Sequence, residues 1–147
     1  MKENRIKMSR KAAVCIVLAI AAALFLIVVL AGIQRNAASG KVESAEDAAE
    51  YLLGLGWEVD QNAVTIQTTV LPEYFDNTIS AYNKLQLEQG FDLTEQAGRE
   101  ITVYLFPVTN YPNASGDVLA CLMTCKGKVI GGDIHSSELD GFMHALK

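Results

Sequence analysis

The residues best suited to catalysis or metal binding lie near the C-terminus of the sequence. Asp133, His135, Asp140 and His144 fall within twelve residues, and a metal ion would need their side chains to converge from one side. Asp133 and His135 share a face if this segment is a strand, whereas His144 has to fold back to join them. We favour a solvated strand end, and we predict no metal site and no cofactor.

Acid–base catalysis needs a carboxyl group whose pKa is raised by an apolar pocket. Asp92 is flanked by Phe91 and Leu93, which makes it one candidate, and Asp133 is another. The favoured interpretation of Asp92 is a turn residue that accepts hydrogen bonds from backbone N–H groups. Because no nucleophile motif accompanies these residues, we assign no catalytic residue and keep a hydrolase that uses Asp92 or Asp133 as an alternative.

Aromatic residues and strand glycines are the candidates for ligand binding. The aromatic residues can form a binding patch, although ordinary core packing is the favoured alternative. Gly131 and Gly132 are not followed by the helix, Lys and Ser/Thr of a phosphate-binding loop. We therefore expect a β-bulge there, or the close approach of Trp57 or Tyr111 to bare backbone. The candidate binding residues are Trp57, Tyr104, Asn110, Tyr111, Gly131, Gly132 and Asp133.

Cys121 and Cys125 are four residues apart in a predicted strand. This spacing separates their Cα atoms by about 13 Å, beyond the ~5.5 Å that is typical of a disulfide. We expect two small apolar side chains on one strand face rather than a redox pair.

The element that positions all of these residues is a predicted membrane anchor. Residues 12–33 carry no charge, and as a helix of 22 residues they extend about 33 Å, enough to cross a hydrocarbon core of about 30 Å. Residues 1–11 hold five Lys/Arg, which predicts a cytoplasmic N-terminus, a polar tether at 34–41 and a domain at 42–147 outside the cell membrane. We favour an uncleaved anchor over a cleaved signal peptide, so the lipid bilayer is the partner of residues 12–33.

The predicted outer part is acidic. Residues 34–147 contain seven Lys/Arg and sixteen Asp/Glu, a formal charge of −9. Nucleic acids favour dense Lys/Arg, so we exclude them as partners and expect an envelope protein, a wall polymer or a peptide instead.

Hydrophobic periodicity predicts an α+β domain with two packed helices and a mainly antiparallel sheet of about four strands. A helix begins at the capping box of Ser44 and Asp47, and a second spans 76–89. Residues 64–70 alternate as a half-buried strand, and both helices are expected on one face of the sheet. The remaining strands are predicted at 100–108, 118–125 and 129–134, followed by a helical turn around Phe142.

Several short motifs lie at 56–59, 82–86, 89–93, 110–112, 129–134 and 139–144. Together they resemble an uncharacterised family of Gram-positive bacteria, domain of unknown function 4830. The resemblance implies a membrane-anchored bacterial protein and implies no activity.

The sequence therefore predicts a single-pass protein whose outer module binds a partner in a bacterial envelope. Two alternatives are an extracytoplasmic hydrolase and an assembly subunit of an envelope or spore-coat complex. An apolar groove would favour binding, and a deep pocket around Asp92 or Asp133 would favour the enzyme. A long uncovered edge strand would favour assembly.

Overall fold

A computed structural model describes residues 41–113, 117–138 and 140–147. The predicted tail at 1–11, the predicted span at 12–33 and nearly all of the tether at 34–41 lie outside these residues. Within the described residues, every helix is too short or too polar to cross a membrane.

The described chain forms an α+β domain whose sheet has five antiparallel strands in sequence order, β1-β2-β3-β4-β5. This confirms the predicted class, with one strand more than expected. The helices are α1 (Ala45–Gly54) and α2 (Asn77–Glu88), with 3₁₀ turns at Gln61–Ala63 and Leu93–Gln96. The strands are β1 (Thr65–Val70), β2 (Glu100–Pro107), β3 (Val118–Cys125), β4 (Lys128–Ser136) and β5 (Met143–His144).

Local capping chemistry sets both helix starts. Ser44 and Asp47 form the predicted capping box of α1, in which each side chain bonds the other residue's backbone N–H. Asp76 caps α2 by accepting a hydrogen bond of 2.9 Å from the N–H of Ile79. These bonds satisfy N–H groups that a helix start leaves without a partner.

The two helices cover opposite faces of the sheet, so the expectation that both pack on one face is wrong. Strand alternation explains the difference, because β2 and β3 are apolar on both faces and each face needs its own cover. The α1 face buries Leu52 of α1 against Tyr104, Phe106 and Leu122. The α2 face buries Ile101, Cys121, Met123 and Cys125, with Tyr82 of α2 packed against them.

The C-terminal segment forms a strand where a helical turn was predicted. His144 pairs with Ile134 of β4, and the N–H of Ser136 donates to the carbonyl of Phe142 at 3.0 Å. The edge of β4 offers backbone partners at this point, and these outweigh the weak helical spacing of the segment. Cys121 and Cys125 lie buried as free thiols on one face of β3, as predicted.

Candidate functional site

Four rings from three chain segments form what we call the ring cluster: Trp57, Tyr111, Phe142 and His144. The rings of Trp57 and Tyr111 stack at a centroid distance of 5.9 Å with 11° between planes. Tyr111 also stacks on Phe142 at 4.9 Å. The structure thus brings together two of the predicted aromatic binding residues and adds Phe142 and His144, of which the sequence considered only His144, as a metal ligand.

Hydrogen bonds hold the ring cluster in place. Asn110 accepts from the N–H of Glu58 at 3.0 Å and donates to the carbonyl of Gly56 at 2.8 Å, so its amide clamps the backbone on both sides of Trp57. The indole N–H of Trp57 donates to the carbonyl of Leu146 at 2.8 Å. The predicted binding residue Asn110 therefore positions Trp57, and the polar groups of the cluster are satisfied within the fold.

The hydroxyl of Tyr111 lies 3.2 Å from Nε2 of His144, whose Nδ1 lies 2.7 Å from the carbonyl of Ala145. A carbonyl oxygen only accepts, so Nδ1 must carry the proton that it donates. In the neutral ring Nε2 then accepts from Tyr111. This arrangement occupies both nitrogens of His144.

Tyr104 is not one of the stacked rings; it lies on the α1 face of β2, in the core against which Trp57 and Tyr111 pack. It is 4% exposed, and burial, followed by the charge of Asp47, raises the pKa of its phenol. Its side chain lines a groove of about 730 Å³, together with Val42, Glu100, Thr102, Thr124 and Lys126. We call this the end groove, because it lies at the end of the sheet where β2 begins and β3 ends.

Strand β1 lies next to β2, and its Thr68 and Val70 pair with Thr102 and Glu100, which line the end groove. All six residues of β1 are exposed, whereas the sequence predicted a half-buried strand. Ile66 is 51% exposed and Val70 is 59% exposed. The reason is position: β1 is the outermost strand, so the helices that cover the middle of the sheet leave both of its faces in solvent.

Backbone alternation shows which groups of β1 point away from the sheet. The N–H of Leu71 donates to the carbonyl of Arg99 at 2.9 Å, toward the β2 side. Backbone groups of successive strand residues point to opposite sides, so Thr65, Gln67 and Thr69 face β2. The N–H and C=O groups of Ile66, Thr68 and Val70 therefore point outward, and the described residues supply no strand beyond them. We call these three residues the open edge.

The open edge is a candidate site that sequence reasoning did not assign. Thr65–Val70 contains no charged residue and no proline, and natural edge strands are usually protected by Lys, Pro or a bulge. That composition was visible in the sequence. Its meaning was hidden, because only the sheet order shows that β1 is an edge.

Asp133 forms the centre of a buried polar cluster on the α2 face. It is 2% exposed; Tyr82 donates to it at 2.5 Å, and Nδ1 of His135 lies 2.6 Å from its other oxygen. Cys121 is its cross-strand partner. Burial, reinforced by the charge of Asp133, raises the pKa values of both the Cys121 thiol and the Tyr82 phenol, so both stay protonated at neutral pH.

Gly131 and Gly132 lie beside this cluster, next to a register shift between β3 and β4. A Cβ on Gly131 would lie 2.8 Å from both Gln86 Oε1 and Met123 Cε. A Cβ on Gly132 would overlap the carbonyl oxygen of Cys121 and lie 2.7 Å from Leu146 Cδ1. Close packing thus requires both glycines, but the groups that approach them are not the expected rings of Trp57 or Tyr111.

Gln86 of α2 and Gln89, which caps the C-terminus of this helix, complete the edge of β4 at Gly132. Gln86 accepts from the N–H of Gly132 at 2.9 Å, and Gln89 donates to its carbonyl at 2.9 Å. Gln89 also accepts from the N–H of Leu146 at 2.8 Å. Strand β5 is too short to pair with Gly132, so these side chains bond to its backbone instead. The outer edge of β4 is therefore covered, whereas the outer edge of β1 is open.

Asp92 caps the 3₁₀ turn at Leu93–Gln96. It accepts from the side chain of Thr94 at 2.6 Å, from the N–H of Thr94 at 2.9 Å and from Asn83 at 3.1 Å. These bonds, with the Thr94 hydroxyl first, lower the pKa of its carboxyl. A general acid needs the opposite shift, and the favoured interpretation of Asp92 as a turn residue fits this geometry.

No group of metal-binding side chains occurs among the described residues. Asp133 and His135 do share a face of β4, but His144 pairs with Ile134 and so belongs to the opposite face of the sheet. Sheet alternation therefore separates the two histidines.

The fold and its surfaces define a small three-layer α+β domain with one covered and one open sheet edge. The family model described as domain of unknown function DUF4830 matches residues 51–134, which is more than half of the chain. The chain belongs to this family, as its motifs predicted. Comparison with curated proteins and with solved structures gave no match.

Proposed function

We propose that this chain is a membrane-anchored interaction module displayed outside a bacterial cell membrane, and that it binds a protein partner by strand addition at the open edge. The observation that carries the proposal is the exposed, uncharged strand β1 at the edge of the sheet. The sequence left two non-catalytic alternatives open, a binding module and an assembly subunit. An uncovered edge strand favours contact with another protein chain, as in an assembly subunit.

Strand addition uses backbone groups that the open edge already presents. A partner strand accepts from and donates to Ile66, Thr68 and Val70 without any rearrangement of β1, since these groups point away from β2. Main-chain hydrogen bonds give such complexes their affinity, and pockets for alternate side chains give them specificity. The end groove lies beside β1 on the α1 face and offers such a pocket, with Tyr104 and Thr102 in its wall.

The location rests on the sequence. An uncharged run at residues 12–33 follows a basic tail, and this order favours a cytoplasmic N-terminus. Only Arg35 and Lys41 lie close on the other side of the run, which also favours display of the module outside. In this arrangement the tether at 34–41 keeps the module near the membrane surface.

Photo-crosslinking in the cells that make the chain tests the contact. A benzophenone side chain replaces Gln67 in the full-length protein, beside the open edge, or Leu87 on α2 as a control position that is also exposed. We expect protein adducts at position 67 that exceed those at 87. Thr68→Pro removes one outward N–H and should abolish the adducts, whereas Thr68→Ala keeps that N–H and should retain them.

Equal adducts at both positions, or adducts that survive Thr68→Pro, would refute the open edge as the contact surface. The location is tested separately with Tyr74→Cys, because Tyr74 lies outside β1 and is 88% exposed, and with a membrane-impermeant maleimide. Reagent added to intact cells should label this thiol as fully as it does after lysis. Labelling only after lysis would place the module inside the cell.

The Asp133 cluster supports a second candidate, an extracytoplasmic hydrolase. Asp133 orients His135 through Nδ1 at 2.6 Å, and an oriented imidazole can act as a general base through its other nitrogen. Turnover of chromogenic ester, phosphate or peptide substrates by the full chain, lost in His135→Ala and kept in Thr68→Pro, would support this candidate. An inactive wild-type chain on all three substrate classes would count against it.

A further inference from the structure

Building on the proposed function, we infer that the partner at the open edge is a second copy of this chain, paired β1 to β1 and antiparallel about a two-fold axis at Thr68. This pairing would join two five-stranded sheets into one continuous sheet across two molecules.

The spacing of the open edge makes β1 complementary to itself. Its outward residues, Ile66, Thr68 and Val70, are evenly spaced about Thr68, so a two-fold axis there aligns Thr68 with the partner's Thr68. The same axis aligns Ile66 with the partner's Val70. Each aligned pair can exchange both of its backbone hydrogen bonds, and no outward group is left without a partner.

Neighbouring registers satisfy fewer groups. An axis at Thr69 would place Ile66 opposite the partner's Pro72, which has no N–H to donate. An axis at Gln67 would leave Val70 beyond the partner's β1, opposite the partner's Val64. The register at Thr68 is therefore the one in which the strand satisfies itself completely.

The side chains fit the same register. Ile66 and Val70 lie on the α1 face of β1, because they pair with Tyr104 and Glu100 of β2, and both are more than half exposed. The two-fold axis sets each Ile66 against the partner's Val70, which creates two apolar cross-strand pairs. Because the outer part of the chain carries a formal charge of −9, this uncharged strand is where two copies approach with least repulsion.

A shared membrane supplies the concentration that this contact needs. One pair of edge strands buries less than the ~1,200 Å² of a standard stable interface, so the pairing is weak between copies that are free in solution. Anchoring both copies in one membrane raises their effective concentration. The test therefore uses the full chain in membranes.

A single-cysteine scan across β1 tests the axis. Full-length chains with Thr65→Cys, Gln67→Cys, Thr68→Cys or Thr69→Cys are oxidised in membranes with copper phenanthroline, and the wild-type chain gives the background from its own cysteines. In the inferred register the Cα atoms of the two copies lie about 5.5 Å apart at position 68, within disulfide range, and about 20 Å apart at position 65. We expect roughly tenfold more disulfide dimer with the cysteine at position 68 than at position 65.

Four outcomes would overturn the inference. A maximum at position 67 or 69 would show a different register. Uniform dimer at all positions would show random collision. No dimer, together with position-67 photo-adducts of a mass other than two chains, would give the open edge another partner and leave the proposed function intact. Absence of both dimer and photo-adducts would refute the proposed function as well.

Discussion

Tyr82 of α2 and Asp133 of β4 are joined across the α2-face core by a hydrogen bond of 2.5 Å. The carboxylate is almost fully buried, and its other oxygen contacts His135. A helix on one face of the sheet is thus fastened to the fourth strand by a polar contact within an apolar core. Buried carboxylates need such partners, because an unpaired one is costly to bury.

Loss of the Tyr82 hydroxyl should therefore destabilise the domain. We expect Tyr82→Phe to lower the free energy of unfolding by about 1–3 kcal/mol, because one oxygen of a buried carboxylate loses its donor. Urea unfolding of the full chain in detergent measures this. Tyr74→Phe is the matched control, since Tyr74 is 88% exposed and should change little. Equal stability of Tyr82→Phe and wild type would show that the bond contributes nothing.

The two strand glycines should differ in their tolerance of a methyl group. An alanine at Gly132 meets the backbone carbonyl of Cys121, whereas an alanine at Gly131 meets the ends of two flexible side chains, Gln86 and Met123. Overpacking of a tight core costs about 1–3 kcal/mol. We expect Gly132→Ala to lower the free energy of unfolding by about 3 kcal/mol or more, and Gly131→Ala to lower it by about 1 kcal/mol. Urea midpoints of the two variants decide this, and the reverse order would contradict the packing described.

The free energy of unfolding should fall as the pH rises above neutral, because of Cys121. Burial, then the charge of Asp133, raises the pKa of this thiol in the folded state, so folding favours the neutral form. This contribution is complete below the unfolded pKa of about 8.5 and is lost as pH rises above it. Between pH 7 and 9.5 the urea midpoint of wild type should fall more steeply than that of Cys121→Ala. Parallel pH profiles would remove Cys121 as the cause.

Proline substitutions test the direction of the β1 backbone groups. The N–H of Thr69 faces β2, so Thr69→Pro removes a ladder hydrogen bond, leaves a carbonyl of β2 without its donor and should cost about 1–3 kcal/mol. The N–H of Thr68 points outward, and proline is tolerated at such edge positions, so Thr68→Pro should remain folded with a much smaller loss. Thermal unfolding followed by circular dichroism measures both variants. Equal losses would mean that the assignment of the open edge is wrong.

The limits of sequence reasoning follow from what each pattern encodes. The capping box at Ser44 and the strand at 118–125 are encoded locally, and both were predicted correctly. The order of strands is not local, so β1 was predicted as half-buried although the structure places it at the edge. Helix placement failed for a related reason, because the pattern of α2 shows that it has an apolar face but not which sheet face it covers.

The candidate site divides in the same way. The sequence grouped Trp57, Asn110 and Tyr111 with Tyr104 as binding candidates. The first three lie together, whereas Tyr104 is not one of the stacked rings. The contacts of Gly131 and Gly132 with Gln86, Gln89 and Leu146 could not be predicted, since they join segments more than forty residues apart or depend on where β5 ends.

Amide hydrogen exchange along β1, measured in lipid nanodiscs that hold one or two copies of the full chain, tests the account most directly. With one copy, the account predicts fast exchange at Ile66, Thr68 and Val70 and slow exchange at Thr65, Gln67 and Thr69. With two copies, the three fast amides should become protected while the other three stay unchanged. Slow exchange at Thr68 with a single copy, or fast exchange that the second copy does not slow, would contradict it.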